Sequence, residues 1–326
     1  MSFWRHRSVL VTGVTGFLGA YVAEALVAKG ALVVGLVRDT PSRSNRNFHR
    51  VAPSLMLVHG ALEDGLLLER AVNEYEVDTV IHLGAQTIVG IANRNPLSTF
   101  EANIGGTWKL MEACRRSPKV ERVVIASSDK AYGNLAREAP AREDLSLAGS
   151  HPYDVSKSCA DLIAQAYHQT YGLPVAITRC GNFYGGGDLN WNRLFPGTIR
   201  SALEGERPII RSNGRLVREY LYVRDAVTCY LTLAENVGRS EVQGQAFNFS
   251  TGQPMSVLDV TSRILQACGR ADLSPDVQDL PEARHEIPYQ ALAVERARDV
   301  LGWASSWPMA GALQETVDWY REELKL

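Results

Sequence analysis

Short apolar runs rich in β-branched residues alternate along this chain with longer stretches whose apolar side chains recur every three to four positions. Ser8–Thr12, Leu32–Val37, 55–59, 79–83, Arg122–Ala126 and 175–178 have the first pattern and are predicted strands. They are apolar almost throughout rather than at alternate positions, as strands covered on both faces must be. The intervening segments carry the helical period. In the first of them Phe17, Leu18, Tyr21, Val22, Ala25 and Leu26 mark one face, and Gly30 supplies the stop. Strand and helix in regular succession predict an α/β fold with a doubly wound parallel sheet.

The first junction carries chemistry. Gly13-Val14-Thr15-Gly16-Phe17-Leu18-Gly19 joins the opening strand to its helix. Gly13 suits a tight turn, Gly16 lets a pyrophosphate approach the backbone at the helix N-terminus, and Gly19 lets helix and strand pack closely. In that setting the pattern points to a dinucleotide.

A second constellation lies further on. Tyr153 and Lys157 are four residues apart in a helical segment, 153–171, which puts both on one face within a turn. A free phenol titrates near 10, so Tyr153 serves as a base near neutrality only if nearby positive charge lowers its pKa by about three units. Lys157 and an oxidised nicotinamide are the expected sources. Ser127-Ser128-Asp129-Lys130 follows directly on a strand, and sites in doubly wound sheets lie beyond the carboxyl ends of the strands. The two clusters are therefore expected to meet.

Bulk properties narrow the class. At 326 residues the chain exceeds the usual single-domain size, so a second, smaller lobe is expected. Residues 1–179 should form the nucleotide-binding domain. Residues 180–326, opening with the Gly- and Asn-rich run 181–192, should form mainly a substrate lobe, with a helix at 218–236 and a strand at Ala246–Phe249 returning to the sheet. A net charge of −2 gives no reason to expect nucleic acid or an anionic membrane as partner. Five scattered cysteines without CxxC spacing read as reduced thiols, and His82, His151, His168 and His285 lack metal-ligand spacing, so no metal is expected. Neither a signal peptide nor a spanning segment is visible, and the expected compartment is the cytoplasm.

Taken together, GVTGFLG, His82-Leu83-Gly84-Ala85-Gln86, Asn103 in ANIGGT, SSDKAYG (127–133), YDVSK, RCGNFYGGGD (179–188), REYLYVRD (218–225) and Leu301-Gly302-Trp303 resemble the extended short-chain dehydrogenase/reductase superfamily. The resemblance covers essentially the whole chain and is to its nucleotide-sugar epimerase/dehydratase branch. It implies a Rossmann-type domain with bound NAD(P), a nucleotide-diphosphate sugar as substrate, and a homodimer formed through helices 107–115 and 153–171. It also implies roles: Tyr153 as base toward the sugar C4 hydroxyl, Lys157 as its partner on the nicotinamide ribose, Ser128 as a hydrogen-bond donor to the same hydroxyl. Phe17, Leu18, Leu62, Leu83 and Ala85 would line the cofactor site. Gln86, Asn182, Arg193 and Arg218 would hold the sugar nucleotide, and an arginine's planar fork suits a diphosphate.

The residues after Ser128 separate reaction types within that branch. Asp129-Lys130 is an ionisable pair of the kind that dehydratases carry, most similar to that of CDP-glucose 4,6-dehydratases, with Asp129 as acid and Lys130 as base. A 4-epimerase would use Ser128, Tyr153 and Lys157 alone, and a nicotinamide-binding regulatory protein would not turn over. Two departures stand out. The second strand ends Val37-Arg38-Asp39, where NAD-dependent relatives place an acidic residue, so Arg38 tilts the expectation toward NADP, with Arg43 and Arg46 beyond it. Gly60-Ala61-Leu62 lacks the Asp expected near adenine, leaving Glu63 or Asp64 to compensate.

Overall fold

The computed structural model describes residues 2–42, 44–135, 139–281 and 286–325. Arg43 and His285 lie outside them.

Seven strands form one parallel sheet: β1 (Ser8–Thr12), β2 (Leu32–Val37), β3 (Met56–His59), β4 (Thr79–His82), β5 (Arg122–Ala126), β6 (Val175–Cys180) and β7 (Ala246–Phe249). Their order across the sheet is β7-β6-β5-β4-β1-β2-β3, so the chain reverses direction between β1 and β4. β1, β4, β6 and β7 are wholly buried, in keeping with their apolar sequences.

Helices cover both faces. One face packs α1 (Phe17–Ala28) and α6 (Val223–Asn236), and the other α2 (Gly65–Glu74), α3 (Gly106–Arg116) and α4 (Pro152–Tyr171). α3 follows a single π turn, Glu101–Gly105, at a point where such bulges often serve function. α4 begins with Pro at its first position and ends on Gly172 in the left-handed region.

The smaller lobe gathers α5 (Leu194–Glu204), α7 (Val257–Ala267) and α8 (Met309–Leu324), whose apolar faces continue the core under α1 and α6. Short strand pairs tie it to the sheet: Asn182–Tyr184 runs parallel to Tyr220–Tyr222, and Val217–Arg218 antiparallel to Met255–Ser256. These pairs correct one expectation. The helix expected over 218–236 starts only at Val223, because Arg218 and residues 220–222 are taken up by ladders in which the two tyrosines are buried. Aromatic residues at alternate positions favour such a pleated surface over the first turns of a helix.

Candidate active site

At the carboxyl end of β1 the chain turns at Gly13, whose φ is +72°. A Cβ there would stand 2.8 Å from the Gly84 amide, and one on Gly19 would stand 2.0 Å from the Gly13 carbonyl oxygen. Only hydrogen fits at either position, so the turn, α1 and the end of β4 close to backbone contact. Gly16 precedes α1 without a side-chain cap, leaving the first-turn N–H groups of that helix to a ligand. Such a cradle fits a dinucleotide pyrophosphate.

From this turn a cleft of about 1400 Å³ runs across the ends of the strands into the smaller lobe. Gly13, Gly16, Phe17, Leu18, Gly19, Arg38, Leu62, Leu83 and Ala85 line one end; Ser128, Asp129, Lys130, Tyr153 and Lys157 the middle; Asn182, Arg193 and Arg218 the other end. The structure thus brings together every site residue expected from sequence except Gln86. Gln86 is absent from that lining: its side-chain oxygen accepts from the Ile88 N–H at 3.0 Å, and both its backbone groups bond the Asn103 amide.

The reacting groups meet as the strand ends dictate. Ser128, extended at φ −158° and ψ 156°, caps a one-turn helix, Asp129–Tyr132, by accepting from the Lys130 N–H at 3.2 Å. Its hydroxyl donates to Asp129 Oδ1 at 3.0 Å. Burial raises the Asp129 carboxyl above its ordinary range, against the pull of Lys130, Ser128 and Arg218. Lys157, on the first turns of α4, donates to the Ala126 carbonyl at 2.8 Å, and burial lowers its pKa to about 8.

Burial pushes the Tyr153 phenol up to about 12 in the chain alone, whereas the lowered value expected of a base drew on an oxidised nicotinamide as well as on Lys157; the Ser128 hydroxyl and the Arg193 charge oppose the shift, and Asp129 adds to it. Lys157 is not among the strongest influences on the phenol. Its ammonium is engaged by the end of β5, so the chain's own groups leave the phenol protonated.

Beneath these residues runs a network that the sequence did not reveal. In the parallel register Thr12 stands beside His82. Gly84 N–H donates to Thr12 Oγ1 at 3.0 Å, Thr12 Oγ1 lies 2.7 Å from His82 Nδ1, His82 Nε2 lies 3.1 Å from Thr107 Oγ1, and Thr107 donates to the Asn103 carbonyl at 2.6 Å. Those roles assign the ring proton to Nε2. Burial, with the Lys157 charge, lowers His82 to about 3 and keeps it neutral. From the π turn Asn103 also donates to Ser156 Oγ at 2.9 Å, and Ser156 donates to the Tyr153 carbonyl at 2.7 Å. The start of α4 is thereby anchored to β1 and β4. Each group is an ordinary polar residue in an apolar run, and only the pairing of strands makes them neighbours.

At the end expected to take adenosine, Arg38 is exposed and its Nε donates to Asp39 at 2.6 Å. Asp64 caps α2 through Leu67 N–H at 3.0 Å, so it is engaged elsewhere. Glu63 lines the cleft, and its buried Oε2 has no hydrogen-bond partner among the described residues. At the far end Arg218 is buried and its guanidinium bonds the Val217 carbonyl at 2.8 Å. Arg193 pairs with Asp188 at 3.0 Å. Arg211, which the sequence reading missed, joins this wall and bonds Asn192 at 3.0 Å. Beside Asp129, Glu219 is buried with Oε2 accepting from Leu292 N–H at 2.7 Å, and burial raises its pKa. Among the described residues no group of three His, Cys, Asp or Glu side chains is placed to hold a metal ion.

Residues 9–249 match the model of the NAD dependent epimerase/dehydratase family. The chain belongs to that family. Membership carries with it a nicotinamide dinucleotide as cofactor. The chain is 29% identical over 333 residues to CDP-glucose 4,6-dehydratase of Salmonella typhimurium, covering 98% of this chain and 92% of that protein. Among solved structures, a dTDP-glucose 4,6-dehydratase of Streptomyces venezuelae with NAD bound superposes with a TM-score of 0.85 at 29% identity, covering 97% of each chain. A UDP-glucose 4-epimerase of Thermotoga maritima superposes with a TM-score of 0.88 at 25% identity, covering 97% of this chain and 99% of that one.

Proposed function

We propose that this family member is a nucleotide-sugar 4,6-dehydratase that converts an NDP-hexose to the NDP-4-keto-6-deoxyhexose. The observation that carries the reading is Asp129-Lys130: an ionisable pair on the cleft floor directly after Ser128, with the carboxyl biased by burial toward its protonated form. Inversion at C4 alone requires no such pair.

Gly13, Gly16, Phe17, Leu18, Gly19, Arg38, Leu62, Leu83, Ala85, Tyr153 and Lys157 would hold the cofactor, which when bound takes a hydride from C4 and gives it back at C6. Tyr153 removes the C4 hydroxyl proton. Its raised pKa means that the phenolate forms near neutrality only beside the positive charge of an oxidised ring. Ser128 orients the same hydroxyl. The C4 ketone acidifies C5, Lys130 takes the C5 proton, and Asp129 protonates the departing C6 hydroxyl. Asn182, Arg193 and Arg218 grip the diphosphate; Gln86 acts only through the loop it stabilises.

Asp129→Asn and Lys130→Met should still reduce the cofactor but lose water about 10²–10⁴-fold more slowly, since each is asked for one proton transfer. Reduced nicotinamide would accumulate as near-ultraviolet absorbance. The wild type in deuterated water should place deuterium at C5 of a 4-keto-6-deoxy product. A wild type that yields only the C4 epimer would instead establish the epimerase reading, which the similarity to the Thermotoga enzyme favours.

The same proposal extends to assembly, compartment and cofactor choice. Trp108 on α3 and Leu162 and Tyr171 on α4 are exposed, which supports pairing of these helices in a two-fold homodimer. All five cysteines are free, in keeping with a reducing cytoplasm, and no helix among the described residues is long and apolar enough to cross a membrane. Arg38 supports NADP, although its pairing with Asp39 must break to receive a 2′-phosphate. We place the cofactor domain at residues 1–179 with 218–250 returning to it, and the substrate lobe mainly at 180–326.

A further inference from the structure

Dehydration leaves two of the catalytic groups out of step. Taking the C4 hydroxyl proton leaves Tyr153 with one proton gained. Elimination breaks the C5–H bond, whose proton passes to Lys130, and the C6–O bond, whose oxygen leaves as water with a proton from Asp129. The hydride lost at C4 is regained at C6, and Lys130 returns its proton to C5, so those transfers cancel. What remains after each turnover is one proton too many on Tyr153 and one too few on Asp129. No oxidant or reductant is needed to restore them, only a path for a proton.

We propose that the Ser128 hydroxyl is that path, carrying the proton from Tyr153 to Asp129 at the end of each turnover. The inference rests on the dehydratase reading above. Ser128 already donates its hydrogen to Asp129 Oδ1 at 3.0 Å, and the same hydroxyl is a hydrogen-bond partner of the Tyr153 phenol, so its oxygen can accept the phenolic proton. The Lys130 N–H occupies a lone pair of Oγ at 3.2 Å, which holds the serine hydrogen toward the carboxylate. A hydroxyl both donates and accepts, so it can take one proton while releasing another. Ser128 and Asp129 are only 7% and 8% exposed, which restricts exchange with bulk water.

Direction follows from the surroundings. Asp129 is faced by Lys130 on its own turn, by Arg218, by the Tyr153 phenol and by buried Glu219. Burial disfavours the carboxylate left by elimination. Tyr153 gives up its proton most readily once positive charge again stands beside the phenol, which is after hydride has reached C6.

The test compares the holoenzyme with its Ser128→Ala and Ser128→Thr variants. Ser128→Ala should form about one product per site in a first burst and then run at least about tenfold more slowly, because later turnovers wait for solvent protons. Added imidazole should speed that slow phase alone. The wild type and Ser128→Thr should show neither burst nor buffer dependence. Independently of turnover, the Tyr153 titration followed by carbon NMR in sugar-free holoenzyme should respond non-additively to Ser128→Ala and Asp129→Asn. If the wild type dehydrates but Ser128→Ala is slower by one factor in every phase, with additive titration shifts, the relay alone is overturned. If the wild type returns only a C4 epimer, the dehydratase reading falls and the relay with it.

Discussion

The two ends of the cleft are built from different materials. The end proposed for the cofactor offers backbone: a glycine turn that excludes even a methyl group, an uncapped helix start and the tips of adjacent strands. The end proposed for the sugar nucleotide offers side chains: Asn182, Arg193, Arg211 and Arg218, carried on short strand pairs and loops and tied to Asp188, Asn192 and the Val217 carbonyl. Backbone can read a group common to many ligands, a pyrophosphate, whereas a particular sugar and base must be read by side chains that vary freely.

Gly19→Ala should strike the backbone end hardest. A Cβ only 2.0 Å from a carbonyl oxygen forces the turn open, so dinucleotide affinity should fall at least about 100-fold in calorimetry, with a lower melting temperature. Near-normal affinity would break the contrast. Arg218→Ala should do the converse. The lost charge-assisted contact, about 1.5–3 kcal/mol, should weaken nucleotide-sugar binding roughly 10–100-fold and leave dinucleotide affinity within about twofold.

His82 tests the network that joins the two ends. Its folded pKa of about 3 lies below the unfolded value near 6.5, so the unfolded state takes up a proton first as pH falls. Stability from this group is therefore complete above pH 6.5 and lost below it, by about 2 kcal/mol on reaching pH 5. His82→Gln should flatten that part of a denaturation-versus-pH curve; an unchanged slope would locate the loss elsewhere. The smallest effect is expected at exposed Arg38. Arg38→Ala should weaken NADP by several-fold and NAD hardly at all, and equal effects on both would remove the case for a 2′-phosphate contact.

The contrast also explains what could be read from the sequence. β1, the glycine turn and α1 are contiguous, so their apolar pattern and glycine spacing were legible together. Tyr153 and Lys157 were legible for the same reason, being four residues apart on one helix. Arg211 and Glu219 were not, because the folding of the lobe brings the one to the cleft and the other beside Asp129. The start of α6 was misplaced because the strands that claim Arg218 and residues 220–222 have their partners at 255–256 and 182–184. Spacing along a helix says which residues are close, but not that Lys157 would be turned to the Ala126 carbonyl.

The short helix Arg46–Val51 has a distant clasp. Asn47 donates to the Gly186 carbonyl and accepts from Trp319 Nε1 at 3.2 Å, and the Tyr320 hydroxyl donates to the Asp188 carbonyl at 2.7 Å. Asn47 and Trp319 are 272 residues apart. At about 5–20 residues per second of synthesis, Asn47 waits on the order of ten to fifty seconds for its partner to be made. For that interval the nascent chain has its first strands and its glycine turn, yet nothing to shut the wall behind them. The contact is completed only when synthesis reaches α8, long after β1 and its glycine turn have been made.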